Sequence, residues 1–230
     1  MIKIIKISIL RVLWIILKNI PLINNLIFLI LRNSINFFWK FRGSKPVKLG
    51  PANKKFLDKL IFLIGEDKNF DLIEIGCAAG ATLIQLSIKY PHSNFMGLDI
   101  RMGAIKDGNE FIKKRSIENL FLENKDLNKI SDFQECDYLI SRATLIYFSS
   151  EELKNFLEKI KYKVNKKIIF QEIHSNSSSI QKHYYFAHPY KKILDDLGFQ
   201  DLFEISIEYM NFSPWKSKNW TGANIILRKR

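Results

Sequence analysis

No aspartate or glutamate precedes Asp58, although the same stretch holds Lys3, Lys6, Arg11, Lys18, Arg32, Lys40, Arg42, Lys45, Lys48, Lys54 and Lys55. Those eleven cations leave only +2 of the formal net charge of +13 to the rest of the chain. Basic charge spread through a fold points to nucleic acid; a nearly neutral body behind a basic arm does not. Cysteine is scarce as well. Cys77 and Cys136 are the only two, both lie in or beside predicted strands, and neither has metal-ligand spacing. A disulfide framework and a zinc site are thereby excluded, a reducing compartment fits, and no metal is expected. The N-terminal stretch has no uninterrupted apolar run of about 20 residues, the length that spans a bilayer. Its runs at 12–17 and 26–31 are cut short by Lys18 and Arg32. What the chain does have is 47% hydrophobic and 13% aromatic residues over 230 positions. That excludes disorder and suffices for one α/β domain with an appendage.

Residues 1–42 form the appendage, a basic apolar helical arm. Arg11, Lys18, Asn25 and Arg32 recur every seven residues and so share one slowly drifting helical face, while Pro21 is placed to open a second helix. An amphipathic arm lying in the plane of an anionic membrane surface fits this pattern best, on the inner face of the membrane with the rest of the chain in the cytoplasm. Packing against the domain, oligomerisation, a signal segment and a true span are the other readings. Gly43, Ser44 and Pro46 break the pattern, so 43–55 reads as a linker and 56–230 as the catalytic domain.

Within that domain, strands and helices alternate. Helices are expected at 53–65, 82–90, 103–116, 151–162 and 189–197, and strands at 70–75, 94–99, 120–122, 136–141, 167–173, 199–209 and 223–228. The alternation predicts an α/β fold: a Rossmann-like, mostly parallel seven-stranded sheet with a reversed edge strand, preceded by the helical arm. The most informative stretch follows the first strand. It reads Glu74-Ile75-Gly76-Cys77-Ala78-Ala79-Gly80, an acid and then a turn of small residues that lets backbone approach a ligand. Asp99 ends the second strand, about 20 residues on, where a carboxylate can accept both ribose hydroxyls. A dinucleotide site favours three glycines and must hold a pyrophosphate. A carboxylate at 74 repels phosphate but suits a cationic amino group.

In these motifs the chain resembles the class I S-adenosylmethionine-dependent methyltransferases over roughly residues 56–230. Glu74 to Gly80 is similar to the family's acidic-x-Gly-x-Gly-x-Gly pattern, with Ala78 at the middle glycine, and Gly97-Leu98-Asp99 is similar to its ribose-binding motif. The resemblance implies S-adenosylmethionine as cofactor, held by Glu74, Gly76, Cys77, Ala78, Gly80, Asp99, Ile100, Asp126 (against the adenine amino group) and Ser141. The segment from Ser141 through Tyr147 resembles the one that lines the methyl-transfer site, where many relatives carry a histidine base. Here Ile146 and Tyr147 stand in its place. His174, at the end of the fifth strand, is the candidate base. Arg142, Tyr147, His183 and His188 are candidate substrate contacts, the two histidines in an aromatic patch read as a lid.

The expected activity is methylation of a small molecule, lipid or lipid-linked sugar at a membrane surface, with no nucleic-acid partner. Two alternatives stand beside it. One is a membrane-docked, non-catalytic interaction module on the same fold. The other is a tRNA methyltransferase, since residues 94–101 resemble a segment of the bacterial tRNA guanine-N7 family; that family's Pro-Asp-Pro-Trp-Pro-Lys signature is absent here.

Overall fold

The computed structural model describes residues 51–130, 133–182, 185–210 and 220–230. The arm at 1–42, most of the linker and His183 lie outside the described residues. Among the described residues, no helix is long and apolar enough to cross a membrane.

Helix α1 (Pro51–Ile64) begins two residues before the helix expected at 53–65. It buries Phe56, Leu57, Leu60, Leu63 and Ile64, the face expected from the sequence, and leaves Phe62 exposed. Strand β1 (Asp71–Ile75) leads through the glycine turn into α2 (Ala81–Lys89), and β2 (Asn94–Asp99) into α3 (Met102–Lys114). Then come β3 (Leu120–Asn124), β4 (Cys136–Arg142), α4 (Ser150–Ile160) and β5 (Val164–Ser175). The start of α4 is fixed by the capping box foreseen in the sequence: the Ser149 hydroxyl accepts from the Glu152 amide, and the Glu152 carboxylate accepts from the Ser149 amide at 2.8 Å.

The strand order is β3-β2-β1-β4-β5-β9-β8, with β8 (Phe203–Met210) and β9 (Trp220–Lys229) closing the sheet. Neighbours from β3 through β5 pair in parallel, and β9 runs antiparallel to both β5 and β8. The expected mostly parallel seven-stranded sheet is therefore present. Its reversed strand is β9, seated between β5 and the outermost strand β8.

Successive side chains on a strand point to opposite faces, and the sheet separates two apolar layers accordingly. Leu72, Ile140, Ile169 and Ile226 pack on one face with residues of α1, α2 and α3. Ile73, Leu139, Phe170 and Ile225 pack on the other with α4 and α5 (Tyr190–Asp196). Because β1 pairs with β2 on one side and β4 on the other, the order switches there, and the crevice beyond the carboxyl ends of β1 and β4 is where such sheets take ligands.

The aromatic patch read as a lid holds a two-stranded hairpin, β6 (Ile180–Lys182) and β7 (Tyr185–Ala187). Phe186 and Ala187 are buried, and Ala187 shares a small apolar cluster with Ile146 and Ile173.

Candidate active site

Gly76 leaves β1 at φ +73° and carries its amide to the Leu98 carbonyl at the end of β2, 2.7 Å away. Only glycine fits there. A Cβ would fall on Thr144 Oγ1 and lie 2.7 Å from Thr144 Cβ and Cγ2. Ala78 follows at φ +55°, the left-handed region that the middle glycine of the motif would occupy, so alanine here adopts a glycine's conformation. That costs an L residue roughly 1–2 kcal/mol. The compensation is visible: the Ala78 amide donates to Asp99 Oδ2 at 2.8 Å. Gly80, at φ +76°, then opens α2 without any side-chain cap. From the opposite side α3 comes close at Gly108, where a Cβ would lie 2.8 Å from the Ala79 carbonyl oxygen.

Two carboxylates flank this turn. Asp99 is buried and accepts from the amides of Ala78 and Arg101, each at 2.8 Å, with Arg101 Nε 3.5 Å from Oδ1. A carboxylate offers about four acceptor positions, so capacity remains for a ligand's hydroxyls. Glu74 is also buried, and its Oε2 has no hydrogen-bond partner. Burial, and secondarily the charge of Asp99, pushes its carboxyl up to about 8, with Arg142 pulling the other way. An orphaned buried carboxyl oxygen calls for a partner. A cationic amino group supplies one and would ionise the acid.

Cys77 turns its side chain into the core, where burial raises its thiol, so only its backbone faces the turn. Ile100 is half-buried directly after Asp99. Asp126 accepts from the Asn128 amide at 3.1 Å and so caps a short 3-10 turn, while the Asn124 side chain and the Lys125 amide hold the end of β3 to the Asp99 carbonyl. Ser141 is fully buried and spends its hydroxyl on Glu172 Oε1 at 2.8 Å; its side chain supports the site from behind and does not line it.

Glu172 carries a role that the sequence reading missed. It lies in β5, fully buried, and is pushed up to about 7 by burial, against hydrogen bonds from Ser141, Thr144 and Leu145. Arg142, half-buried, donates from Nε to Gln171 Oε1 at 2.8 Å. Burial lowers its guanidinium, against the attraction of Glu172 and Glu74. From Gln171 a polar row crosses the sheet to Asn224 (3.0 Å) and Glu208 (3.4 Å), which meets Lys59 of α1 (2.9 Å). Tyr147 packs at the edge of the Ile146–Ile173–Ala187 cluster.

The histidines divide sharply. His188 is fully buried with both ring nitrogens engaged: Nε2 faces the Phe148 carbonyl at 3.0 Å and Nδ1 the Ser179 hydroxyl at 3.1 Å. Burial drops its pKa to about 4. This corrects its assignment as a substrate contact, because a neutral imidazole with both nitrogens used holds structure together. His174 is buried too, but its Nδ1 has no partner; burial lowers its pKa and keeps it neutral. Its ring stacks on Tyr190 (centroids 6.4 Å, 26°) and lies 5.5 Å from Tyr209. Together with Asn176, Tyr209 and Thr221 it lines a cleft of about 700 Å³.

A doubly wound sheet, a left-handed small-residue turn at its switch point and an acid at the end of β2 define a nucleotide-binding domain of the methyltransferase type. Residues 66–197 match the family described as Methyltransferase domain, and the chain belongs to it, among the class I S-adenosylmethionine-dependent methyltransferases. Over 94 residues it is 32% identical to an uncharacterized protein, MJ0906, of Methanocaldococcus jannaschii, covering 41% of this chain and 25% of that one. It is 28% identical over 154 residues to malonyl-[acyl-carrier protein] O-methyltransferase 2 of Ilyobacter polytropus, covering 60% and 59%. The chain thus spans less than two thirds of the length of the curated relatives it matches. Among solved structures, geranyl diphosphate C-methyltransferase of Streptomyces coelicolor A3(2) superposes with a TM-score of 0.66 at 8% identity, over 87% of this chain and 98% of that one. That likeness concerns the fold alone.

Proposed function

We propose that the chain takes a methyl group from S-adenosylmethionine and delivers it to a small molecule, lipid or lipid-linked sugar at a membrane surface. The observation that carries this reading is the pair of buried carboxylates around the turn: Glu74 with an unpartnered oxygen, and Asp99 with acceptor capacity to spare. A ligand with a cationic amino group at one end and a ribose diol at the other satisfies both. The uncapped amides at the start of α2 suit the carboxylate that accompanies the amino group. When bound, the cofactor supplies a methyl on a positively charged sulfur. The acceptor's lone pair would take that methyl in line, with the electron pair of the broken sulfur–carbon bond left on sulfur.

Such an in-line displacement asks the protein chiefly for positioning. The turn and Asp99 fix the donor, and the segment after β4 bounds the methyl end. His174, neutral and beside the cleft, is the candidate to take the acceptor's proton. The test is calorimetry with S-adenosylhomocysteine. The intact chain is expected to bind it, and Asp99→Ala, which removes the anchor of the Ala78 amide together with the diol acceptor, is expected to bind at least about 100-fold more weakly. Two charge-assisted hydrogen bonds of about 1.5–3 kcal/mol each set that scale. Absence of binding by the intact chain would sink the methyl-transfer reading and favour the interaction module.

The membrane address rests on the eleven cations and apolar runs before Asp58. Removing residues 1–42 is expected to abolish sedimentation with vesicles of anionic lipid while leaving S-adenosylhomocysteine affinity unchanged. Undiminished sedimentation overturns the docking proposal.

A further inference from the structure

Glu172 Oε1 accepts three hydrogen bonds from two directions: from Ser141 Oγ on β4 (2.8 Å) and from the amides of Thr144 (3.1 Å) and Leu145 (3.2 Å). The two amides belong to the turn that follows β4. This turn starts at Ala143 with φ +54°, a strained conformation for an L residue that persists only where its surroundings hold it. The Thr144 side chain from the same turn fills the space over Gly76, so close that no Cβ fits there. A continuous line of contact therefore runs from the Glu172 carboxyl through Thr144 to the glycine turn.

We propose that Glu172 is a positioning residue that clamps the 143–147 segment onto the glycine turn and so sets the wall of the donor site at its methyl-transfer end. The proposal rests on the donor-binding reading above. Glu172 itself acts only through Thr144 and Leu145.

The clamp has a built-in response to pH. Glu172 Oε2 is buried without a hydrogen-bond partner. The titratable groups that interact with the carboxyl are Arg142 on β4 and Tyr190 on α5. The Tyr190 hydroxyl is also unpartnered, and burial and the charge of Glu172 push its phenol upward. Arg142 alone favours ionisation by its charge. Burial outweighs the hydrogen bonds from Ser141, Thr144 and Leu145 and pushes the carboxyl up to about 7. The ionised form holds the two amides with charge-assisted bonds, the protonated form with weaker neutral ones.

Amide hydrogen exchange on the full, ligand-free chain tests this directly. Between pH 6 and pH 8 the protection factors of Thr144 and Leu145, corrected for intrinsic exchange, are expected to rise about tenfold, the scale of a charge-assisted over a neutral hydrogen bond. In Glu172→Gln, which keeps the shape and cannot ionise, they should stay flat, and S-adenosylhomocysteine should bind about tenfold more weakly at pH 8. Ser141→Ala removes one donor to the carboxylate and leaves both amides in place, so it should move the midpoint of the protection profile to higher pH. Wild-type protection that ignores pH, or a Glu172→Gln profile that keeps the wild-type rise, overturns the clamp. A chain that shows the pH-dependent protection yet binds no S-adenosylhomocysteine leaves the clamp standing and removes the donor reading instead.

Discussion

Binding of S-adenosylhomocysteine is expected to release a proton at neutral pH, and its affinity to rise about tenfold per pH unit up to pH 8. The reason lies in Glu74. In the ligand-free site its carboxyl is pushed up to about 8 by burial and by the charge of Asp99, so at pH 6–7 it is mostly protonated. A cationic amino group against its orphaned Oε2 returns the acid to its charged form. Well below pH 8 nearly every binding event must therefore expel a proton, and there each unit of pH costs about 1.4 kcal/mol. Calorimetry in two buffers of different ionisation enthalpy counts the proton. Glu74→Gln should bind with no pH dependence from this source and, at pH 8, about 10- to 100-fold more weakly, the range of one charge-assisted hydrogen bond.

The same acid makes an opposite mark on stability. A carboxyl whose folded pKa lies above its unfolded value binds more protons in the native state, so its contribution is complete near pH 4 and is lost as pH rises through about 8. The free chain should therefore melt lower at pH 8.5 than at pH 6, while the liganded chain loses much of that slope. Affinity that stays flat from pH 6 to pH 8 would rule out Glu74 as the ammonium partner.

Glu74, Gly76 and Asp99 are legible in the sequence because their roles follow from position: an acid at a strand end, a glycine in a turn, an acid at the next strand end. Each element around them is also periodic enough to place within a few residues. Glu172 is not legible in this way. It lies in a run, Phe170-Gln171-Glu172-Ile173-His174, whose acid gives no periodic signal, and only the tertiary fold shows that both faces of β5 are covered there. The one available hint is that a carboxyl in a central strand must find donors. His174 and His188 look alike as letters, yet one ends with a bare Nδ1 and the other with two partners. The β6–β7 hairpin escapes because its connection, His183-Tyr184, holds none of the glycine, asparagine, aspartate or proline that marks a turn.

Gly76→Ala is expected to be the most damaging single change in the domain. Two penalties coincide at this position. The backbone sits at φ +73°, where an L side chain costs roughly 1–2 kcal/mol. The new Cβ also falls on Thr144 Oγ1 with Thr144 Cβ and Cγ2 at 2.7 Å, an overpacking of the kind that costs about 1–3 kcal/mol. Thr144 cannot simply withdraw, because its amide is held by Glu172. The turn or the 143–147 segment must move, and a displacement of about 1 Å at such a site costs on the order of 100-fold in function. The expected result is a lower midpoint in urea unfolding together with at least a 100-fold loss of S-adenosylhomocysteine affinity. A double-mutant cycle separates the two causes. Thr144→Gly removes the three atoms nearest the new Cβ, so in the Gly76→Ala background it should recover most of the packing share and leave the φ share in place. Additive free energies in that cycle would mean that the Gly76–Thr144 contact carries no weight, and the damage would then belong to the backbone of the turn alone.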